Sequence, residues 1–294
     1  MPKKTGESPL RNPEVNQRLL LFFHNQVRRL DVASMQLLKE KFRERDVKTL
    51  WHTVFSFLYS IEDSCGSIEV LAKGLKARDC YVISRMLLEL IVNTCFILAR
   101  GVDAARRAEQ HLLQKSYRDL ERKVSVGKRT ISIKWQGKDD LPLAPELKAA
   151  LDRFTSAKGT EIRDWTDENI VRRLEAIDEK FGHDVSSLLQ LAYLAIYRNA
   201  SEIAHGTLFG VHFAFGLTQP SGTLASDGHR KQFMEWTSLL LFSLGHCLLS
   251  LLLALGQYTN IKHLIEQAQQ ERKQIAELCG WIQKSEQSAW SVTH

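Results

Sequence analysis

The chain of 294 residues is long enough to bury a sizeable hydrophobic core, and its 44% hydrophobic and 25% charged residues are typical of an ordinary globular protein. The formal net charge of +6 favours polyanionic partners without requiring them. The five cysteines form no paired spacing, which argues against a disulfide framework or a zinc knuckle and for a reducing, cytoplasmic compartment.

The N-terminal segment, residues 1–13, contains lysines and prolines and no apolar run, so it predicts a disordered lead-in rather than a signal peptide. Beyond it, helical periodicity dominates the chain. The pattern predicts helices over 14–30, 33–46, 48–75, 78–100, 103–123, 185–205, 233–256 and 260–288. Three of these helices have glycine as the expected stop, at Gly74, Gly101 and Gly206.

The irregular sequence pattern over 101–184 predicts an insertion between core helices. Within it, the alternating segments 124–126 and 130–135 flank a glycine-containing turn and predict a small β-hairpin. The rest of the insertion, 136–184, carries prolines and glycines among polar and short helical pieces. A separate loop is predicted over 216–228, which holds one proline and three glycines.

Four of the predicted helices are strongly apolar and should pack together as a bundle. The predicted fold is all-α, with a four-helix-bundle core, N-terminal helices, a partly irregular insertion containing a small β-hairpin, and a C-terminal amphipathic helix. The predicted divisions are a lead-in over 1–13, N-terminal helices over 14–47, a helical bundle over 48–256 and a C-terminal helix and tail over 257–294.

One predicted helix allows a membrane interpretation. Residues 238–258 carry no formal charge and are long enough to span a bilayer. The segment also holds His246, two glycines and several serines, and it lacks a basic cluster at either end. A central buried helix is therefore the favoured interpretation, and we expect no membrane association.

The last predicted helix carries a heptad pattern that Glu271 interrupts. Such a seam fits either packing on the chain's own core or a dimer contact. Its members, seven residues apart, are Ile261, Ala268, Ile275 and Ile282, with Leu264 and Leu278 between them.

Arg198 and His205, called the motif pair below, lie seven positions apart and are the residues that indicate a chemical function. In a helix seven residues turn about 700°, so both side chains point to one side. A guanidinium and an imidazole on one face can together hold a phosphate and move a proton. Three other arginine–histidine pairs have similar spacing, but this one alone combines alignment, apolar surroundings and an adjacent small polar residue, Asn199.

A polar stripe follows the predicted helix over 78–100. Its members recur every four residues and lie on one flank of the helix: Tyr81, Arg85, Glu89 and Asn93. Two interpretations remain open. Arg85 and Glu89 form an internal ion pair that fixes the helix register, or the stripe faces the motif pair and lines the same polar pocket. On the motif helix, Glu202 is a further candidate for this pocket.

No metal or other cofactor is expected. Glu202 and His205 have the spacing of a di-iron ligand pair, but such sites need the pair twice and two further glutamates, and the sequence holds no second copy. A glycine-rich phosphate loop, a nucleophile elbow and a dinucleotide fingerprint are also missing from the sequence.

Positive charge concentrates at the start of the insertion. Between Arg100 and Lys138 there are eleven lysines or arginines and four acids, a net charge of +7. Tyr117 and Trp135 add aromatic surfaces to this segment. Positive charge combined with aromatic residues is expected of a groove for single-stranded RNA, although a solvated face is the ordinary interpretation of a charge run. The RNA-binding candidates are Arg118, Arg122, Lys123, Lys128, Arg129 and Trp135.

The motif pair and Asn199, late in a four-helix bundle, resemble the signature of the HEPN superfamily of RNA-cleaving and nucleotide-binding proteins. Together with the upstream helix that carries Arg85 and Glu89, they also resemble a group of uncharacterised bacterial helical proteins. The resemblance covers residues 48–100 and 185–256, so the predicted bundle over 48–256 is HEPN-like.

This resemblance implies metal-independent RNA cleavage, often in toxin or antiviral defence roles, by two protomers that share one composite site. Arg198 would bind the scissile phosphate, His205 would act as general acid or base, and Asn199 would orient one of them. The implied partners are RNA, a second copy in a homodimer, and an inhibitory or regulatory protein. The alternative is a non-enzymatic helical binding module in which Arg198 and His205 only satisfy each other's polar needs.

Overall fold

The fold is almost entirely helical. The structure, a computed structural model, describes residues 8–41, 48–138, 143–214 and 226–291. Its helices are α1 (Pro13–Lys41), α2 (Lys48–Lys73), α3 (Ala77–Arg100), α4 (Val102–Asp119), α5 (Pro145–Arg153), α6 (Ile170–Phe181), α7 (His183–Ala192), α8 (Arg198–Ala204), α9 (Leu208–Ala214), α10 (Ser226–Thr259) and α11 (Lys262–Ser291). A hairpin of β1 (Glu121–Val126) and β2 (Arg129–Lys134) follows α4. The predicted all-α fold with one β-hairpin is therefore confirmed.

The long helix α10 lies at the centre of the core. Nearly every side chain from Leu240 to Leu255 is buried, whereas a surface helix buries only one stripe. The helices that pack against it are α1, α3, α7 and α11. By length and composition both α3 and α10 could cross a bilayer, but 89% of the apolar window of α10 is buried inside the fold. The prediction of a central buried helix is confirmed.

Two elements outside the predicted four-helix core also contribute to it. Helix α1 packs on α10 and α2 through fully buried side chains such as Leu19, Phe23 and Leu30. Helix α6, which the sequence pattern places in the insertion, packs on α3 and α7 through Leu174 and Ile177. The hydrophobic core therefore draws on the C-terminal part of the predicted insertion and on the N-terminal region.

The prediction of two N-terminal helices over 14–30 and 33–46 is wrong, because α1 is continuous through 31–32. Its buried positions share one stripe of period three to four, and no glycine or proline interrupts the helix after its first residue. Those buried residues are Val15, Asn16, Leu19, Phe22, Phe23, Gln26, Leu30, Ala33 and Leu37. Residues 42–46 lie outside the described residues.

The prediction of a disordered lead-in over 1–13 is wrong for residues 8–13, the part of this segment that the structure describes. Pro9–Arg11 form a 3₁₀ turn, and Arg11 donates to Glu235 at 2.8 Å and to Gln232 at 3.3 Å, both on α10. These contacts are with residues far along the chain, so no local pattern signals them. Residues 1–7 lie outside the described residues.

The hairpin begins three residues before its predicted start, and α4 is correspondingly shorter than the predicted helix over 103–123. Glu121, Arg122 and Lys123 pair with β2 in antiparallel register. These charged residues carry no strand signal of their own, and their pairing with residues 132–134 overrides their helix propensity. At the two-residue turn, Gly127 adopts a φ of 60°, as such hairpins require.

The C-terminal helix α11 packs on the core of its own chain at its beginning. Leu264 and Ala268 are buried against this core, and the buried Glu271 forms an ion pair with Arg29 on α1. Of the two interpretations of the seam, own-core packing therefore holds for 262–271. The side chains of Ile275 and Ile282 lie outside the described residues, as does the predicted loop over 216–228 apart from its last three residues, which belong to α10.

Candidate functional site

The motif pair lies on the outer side of α8. Ala200 and Ile203 are buried and point to the core, whereas Arg198 and His205 are both exposed. Arg198 is the first residue of α8, and His205, with φ −82° and ψ −2°, caps its C-terminus. Because the segment between them is regular α-helix, the predicted alignment of the two side chains is retained.

The backbone turns sharply directly after His205. Gly206 has a φ of 64° and ends the helix, as the sequence predicts. Thr207 then caps the N-terminus of α9, because its hydroxyl accepts the N–H of Gly210 at 3.1 Å and donates to the Glu202 carboxylate at 2.6 Å. Glu202 therefore holds the turn that follows His205 instead of joining a pocket with Arg85.

The predicted continuous helix over 185–205 is interrupted, because Tyr193–Tyr197 form a π turn between α7 and α8. Such single turns contain one extra residue and are frequent at functional sites. Arg85 on α3 holds the end of this turn. Its guanidinium carbon lies 4.9 Å from the Tyr197 ring centroid, and its two terminal nitrogens donate to Tyr197 Oη at 3.4 Å and to Ser201 Oγ at 3.3 Å.

The structure shows the Arg85–Glu89 ion pair of the first interpretation of the polar stripe on α3, whereas a pocket shared with the motif pair stays a prediction. Arg85 and Glu89 form an ion pair of 3.4 Å within the helix, and Arg85 also contacts the motif helix at Tyr197 and Ser201. The stripe thus lies beside the motif pair, next to the π turn. The structure gives no side-chain contact between Arg85 and either member of the motif pair.

A second arginine, Arg173 on α6, extends this polar cluster. It donates to Asn93, the next member of the stripe, and its Nε is buried without a partner among the described residues. Burial lowers the pKa of the Arg173 guanidinium, an effect that nearby Glu89 and Tyr197 oppose. Sequence reasoning missed Arg173, because its helix lies in the segment interpreted as an insertion.

Tyr81 lies apart from the charged members of the stripe. Its ring is 1% exposed and makes edge contacts with Phe213 at 5.6 Å and Trp236 at 6.4 Å. Burial raises the pKa of the Tyr81 hydroxyl, which has no hydrogen-bond partner among the described residues. Tyr81 thus anchors α9 and α10 to α3 through an aromatic cluster.

Large apolar side chains are exposed around the motif pair. They come from three elements, namely the π turn with the end of α7, the short helix α9, and the outer flank of α3. Leu194 and Leu208, on either side of α8, are 77% and 72% exposed. The full set is Val82, Met86, Leu191, Leu194, Leu208, Phe209 and Val211. Exposed large apolar side chains on the elements beside the motif pair offer surface for a protein contact.

The RNA-binding candidates belong to α4, the hairpin and the residues that follow it, and several are already paired. Arg118 donates to Gln114 and Thr155, each at 2.7 Å, so it joins α4 to the end of α5. Arg122 binds Asp119 with 2.6 Å between Nη2 and Oδ2, and Lys123 binds Glu121 at 2.5 Å. The remaining candidates are exposed: Lys128, Arg129 and Trp135.

Within the described residues, no cluster of three or more His, Cys, Asp or Glu side chains could hold a metal ion. Cys65, Cys80, Cys95 and Cys247 are free and buried. A cleft of about 300 Å³ lies between α2 and α4, far along the chain from α8, and is lined by residues that include His52, Glu109, His111 and Trp165.

A family model, described as a family of unknown function, matches residues 51–219, more than half of the chain. The matched range runs from α2 through α9 and so includes Arg85, the π turn and the motif pair. No curated protein and no solved structure matches the chain.

Proposed function

Because the chain belongs to the family of unknown function DUF5677, which assigns no activity, we propose from the site itself that the protein is a metal-independent endoribonuclease. The observation that carries the proposal is the exposure of Arg198 and His205 on one outward face of α8. A core pair would be sealed from substrate, whereas this pair is open to a phosphodiester. The HEPN-like nature of the motif and a toxin or defence role belong to the same proposal.

The proposed reaction needs a cation on the phosphate and a group that moves a proton. Arg198 binds the non-bridging oxygens of the scissile phosphate and stabilises their growing charge. His205 takes the proton of the ribose 2′-hydroxyl, whose oxygen attacks phosphorus, and water protonates the departing 5′-oxygen; in the converse assignment water takes the first proton and His205 supplies the second. The bond to that 5′-oxygen breaks, leaving a 2′,3′-cyclic phosphate and a 5′-hydroxyl. Asn199, adjacent to Arg198 and half-buried, orients one of these groups.

A second copy of the chain completes the proposed site. One α8 places Arg198 and His205 seven residues apart, about 10 Å along the helix. When two α8 helices meet antiparallel across a two-fold axis, Arg198 of one copy lies opposite the partner's His205. The exposed apolar side chains on both sides of the motif pair, with Leu194 and Leu208 the most exposed, supply the contact surface for this homodimer.

Cleavage of total RNA in excess EDTA tests the proposal. The wild type should cut RNA and leave cyclic phosphate ends, and Arg198→Ala or His205→Ala should each lower the rate by about 100-fold or more. Asn199→Ala should lower it less. The matched controls are Arg18→Ala and His24→Ala on α1, an exposed pair of the same residue types that is not aligned along its helix.

Intact RNA after prolonged incubation with a folded wild-type protein would contradict the proposal. Equal rates for wild type and both motif variants would contradict it too, because a contaminating nuclease would explain them. Light scattering on the same samples gives the oligomeric state, which should be a dimer.

A second candidate function is a non-enzymatic binding or regulatory module. It is favoured by one observation: within the described residues, His205 has no side-chain hydrogen bond, to Arg198 or to another group, that would orient its imidazole, as catalytic histidines usually have. In that case, substitution of Arg198 or His205 would weaken binding of a partner protein while RNA stays intact with every variant.

A further inference from the structure

The hairpin of β1 and β2 has an uncovered apolar face. Three cross-strand pairs form this face, namely Arg122 with Ile133, Val124 with Ile131, and Val126 with Arg129. The four aliphatic side chains are 58–75% exposed. A two-stranded hairpin is only marginally stable in water without a third strand or a packed helix. Within the described residues neither strand has a second neighbour, so the face lacks a covering element.

The root of the hairpin is anchored to α4. Lys138 binds Glu121 at 2.8 Å and lies 5.3 Å from the Tyr117 ring centroid, and the Trp135 N–H donates to the Leu120 carbonyl at 2.8 Å. Hydrogen bonds from Lys123 and Lys138 lower the pKa of Glu121 to about 2. The anchored root holds the strands in place beside α4, while their far pairs extend into solvent.

The charge of the hairpin selects an acidic partner. Residues 121–134 contain five lysines or arginines and one glutamate, a net charge of +4. A second copy of this hairpin would bring +4 against +4, which is repulsive. On the apolar face, Arg122 and Arg129 occupy diagonally opposite corners, four residue positions or about 13 Å apart along the strands. A carboxylate at one end of an apolar segment would meet Arg129, since Asp119 already binds Arg122.

The dimensions of the face fit a single α-helix. Two strands are about 10 Å wide and six residues are about 20 Å long. A helix with its side chains is about 10–12 Å across and covers 20 Å with about 13 residues. One further strand, about 5 Å wide, would cover only half of the aliphatic side chains.

The aliphatic composition of the face also favours a protein partner over RNA. Bases stack on aromatic rings and guanidinium planes, whereas Val124, Val126, Ile131 and Ile133 offer neither. Arg122 already binds Asp119 through Nε and Nη2, so Arg129 is the guanidinium of this face that carries the charge for a partner. We propose that this face docks an acidic amphipathic helix of a partner protein, with its apolar stripe on the four aliphatic residues and a carboxylate at Arg129. This assignment does not depend on the nuclease proposal.

Fluorescence anisotropy with a designed peptide tests this docking surface. The probe is a fluorescein-labelled peptide of about 18 residues, long enough to form a helix, with leucines at i, i+3, i+4 and i+7 and glutamates elsewhere. The full chain should bind it saturably. Ile131→Thr, which keeps strand propensity but removes apolar surface, should weaken binding about tenfold, and Arg129→Glu should do the same.

The matched control is Ser132→Thr, on the opposite face of the same strand, which should leave binding unchanged.

Three outcomes would overturn the assignment. Equal binding of a scrambled peptide of the same composition would mean charge attraction alone. If the protein bound an oligouridine instead of the peptide, and Arg129→Glu lost that binding, the face would be an RNA-binding surface. A dimer that dissociates in Ile131→Thr would mean that a second copy covers the face.

Discussion

Backbone geometry at two glycines sets the position of His205. Gly206, with its φ of 64°, lets the chain reverse directly after the histidine. Gly210 lets α9 approach α8, because a Cβ there would lie 2.4 Å from the Glu202 carbonyl oxygen. The first glycine is predictable from the sequence as a helix stop. The second is not, because close approach of two helices depends on the tertiary fold.

Gly210→Ala should destabilise the protein by about 1–3 kcal/mol, because the added methyl group meets backbone atoms that cannot rotate away. Urea unfolding monitored by circular dichroism measures the effect. Gly66→Ala on α2 is the control, since nothing lies within 4 Å of its Cβ position, and it should stabilise by about 0.5–1 kcal/mol. Equal stability changes for both variants would mean that α9 does not pack on α8 as closely as described.

At the scale of elements, the π turn before α8 shows what periodicity alone can predict. The apolar pattern over 185–205 correctly predicts helical structure and the alignment of Arg198 with His205 on one side of α8. It does not reveal the extra residue of the Tyr193–Tyr197 turn, because one extra residue in twenty barely alters a period of 3.6. Arg85 and Arg173 stabilise this region from other helices, and only the fold brings them together.

Arg85→Leu should loosen the π turn and α8 from α3. The substitution removes the Tyr197 ring contact and two hydrogen bonds, so we expect a loss of about 1–2 kcal/mol in unfolding free energy. Amide exchange over 193–204, followed by mass spectrometry, should accelerate. Arg78→Leu, at an exposed position of the same helix, is the matched control. Unchanged exchange in both variants would show that Arg85 does not hold the turn.

At the scale of the whole molecule, α10 connects the parts of the core. The sequence predicts its burial, because it lacks charge over a long stretch. Its neighbours are harder to predict, since the packing of α1 and α6 on the bundle requires long-range contacts. The same burial extends to a titratable side chain, His246, which is 6% exposed and contacts the Phe242 carbonyl.

Stability should fall as the pH drops below about 6.5, and His246 should contribute to this fall. Burial lowers the pKa of His246, although its hydrogen bond to Phe242 opposes the shift. The His246 imidazole therefore binds a proton more readily in the unfolded chain than in the folded chain. As the pH falls, the free energy of unfolding decreases by up to about 1.4 kcal/mol per pH unit. Urea unfolding from pH 7.5 to 5 should show a shallower slope for His246→Gln. The exposed His183→Gln should keep the wild-type slope, and identical slopes in all three proteins would rule out this role.

The place of α10 in the chain has a consequence for biosynthesis. The helices α1, α3 and α7, which bury their apolar faces against it, all leave the ribosome before residues 226–259. At about 5–20 residues per second, α1 waits on the order of ten seconds or longer for its main neighbour. During that interval the nascent chain exposes the surface that chaperones recognise, so successful folding in the cell depends on protection that the finished protein no longer needs.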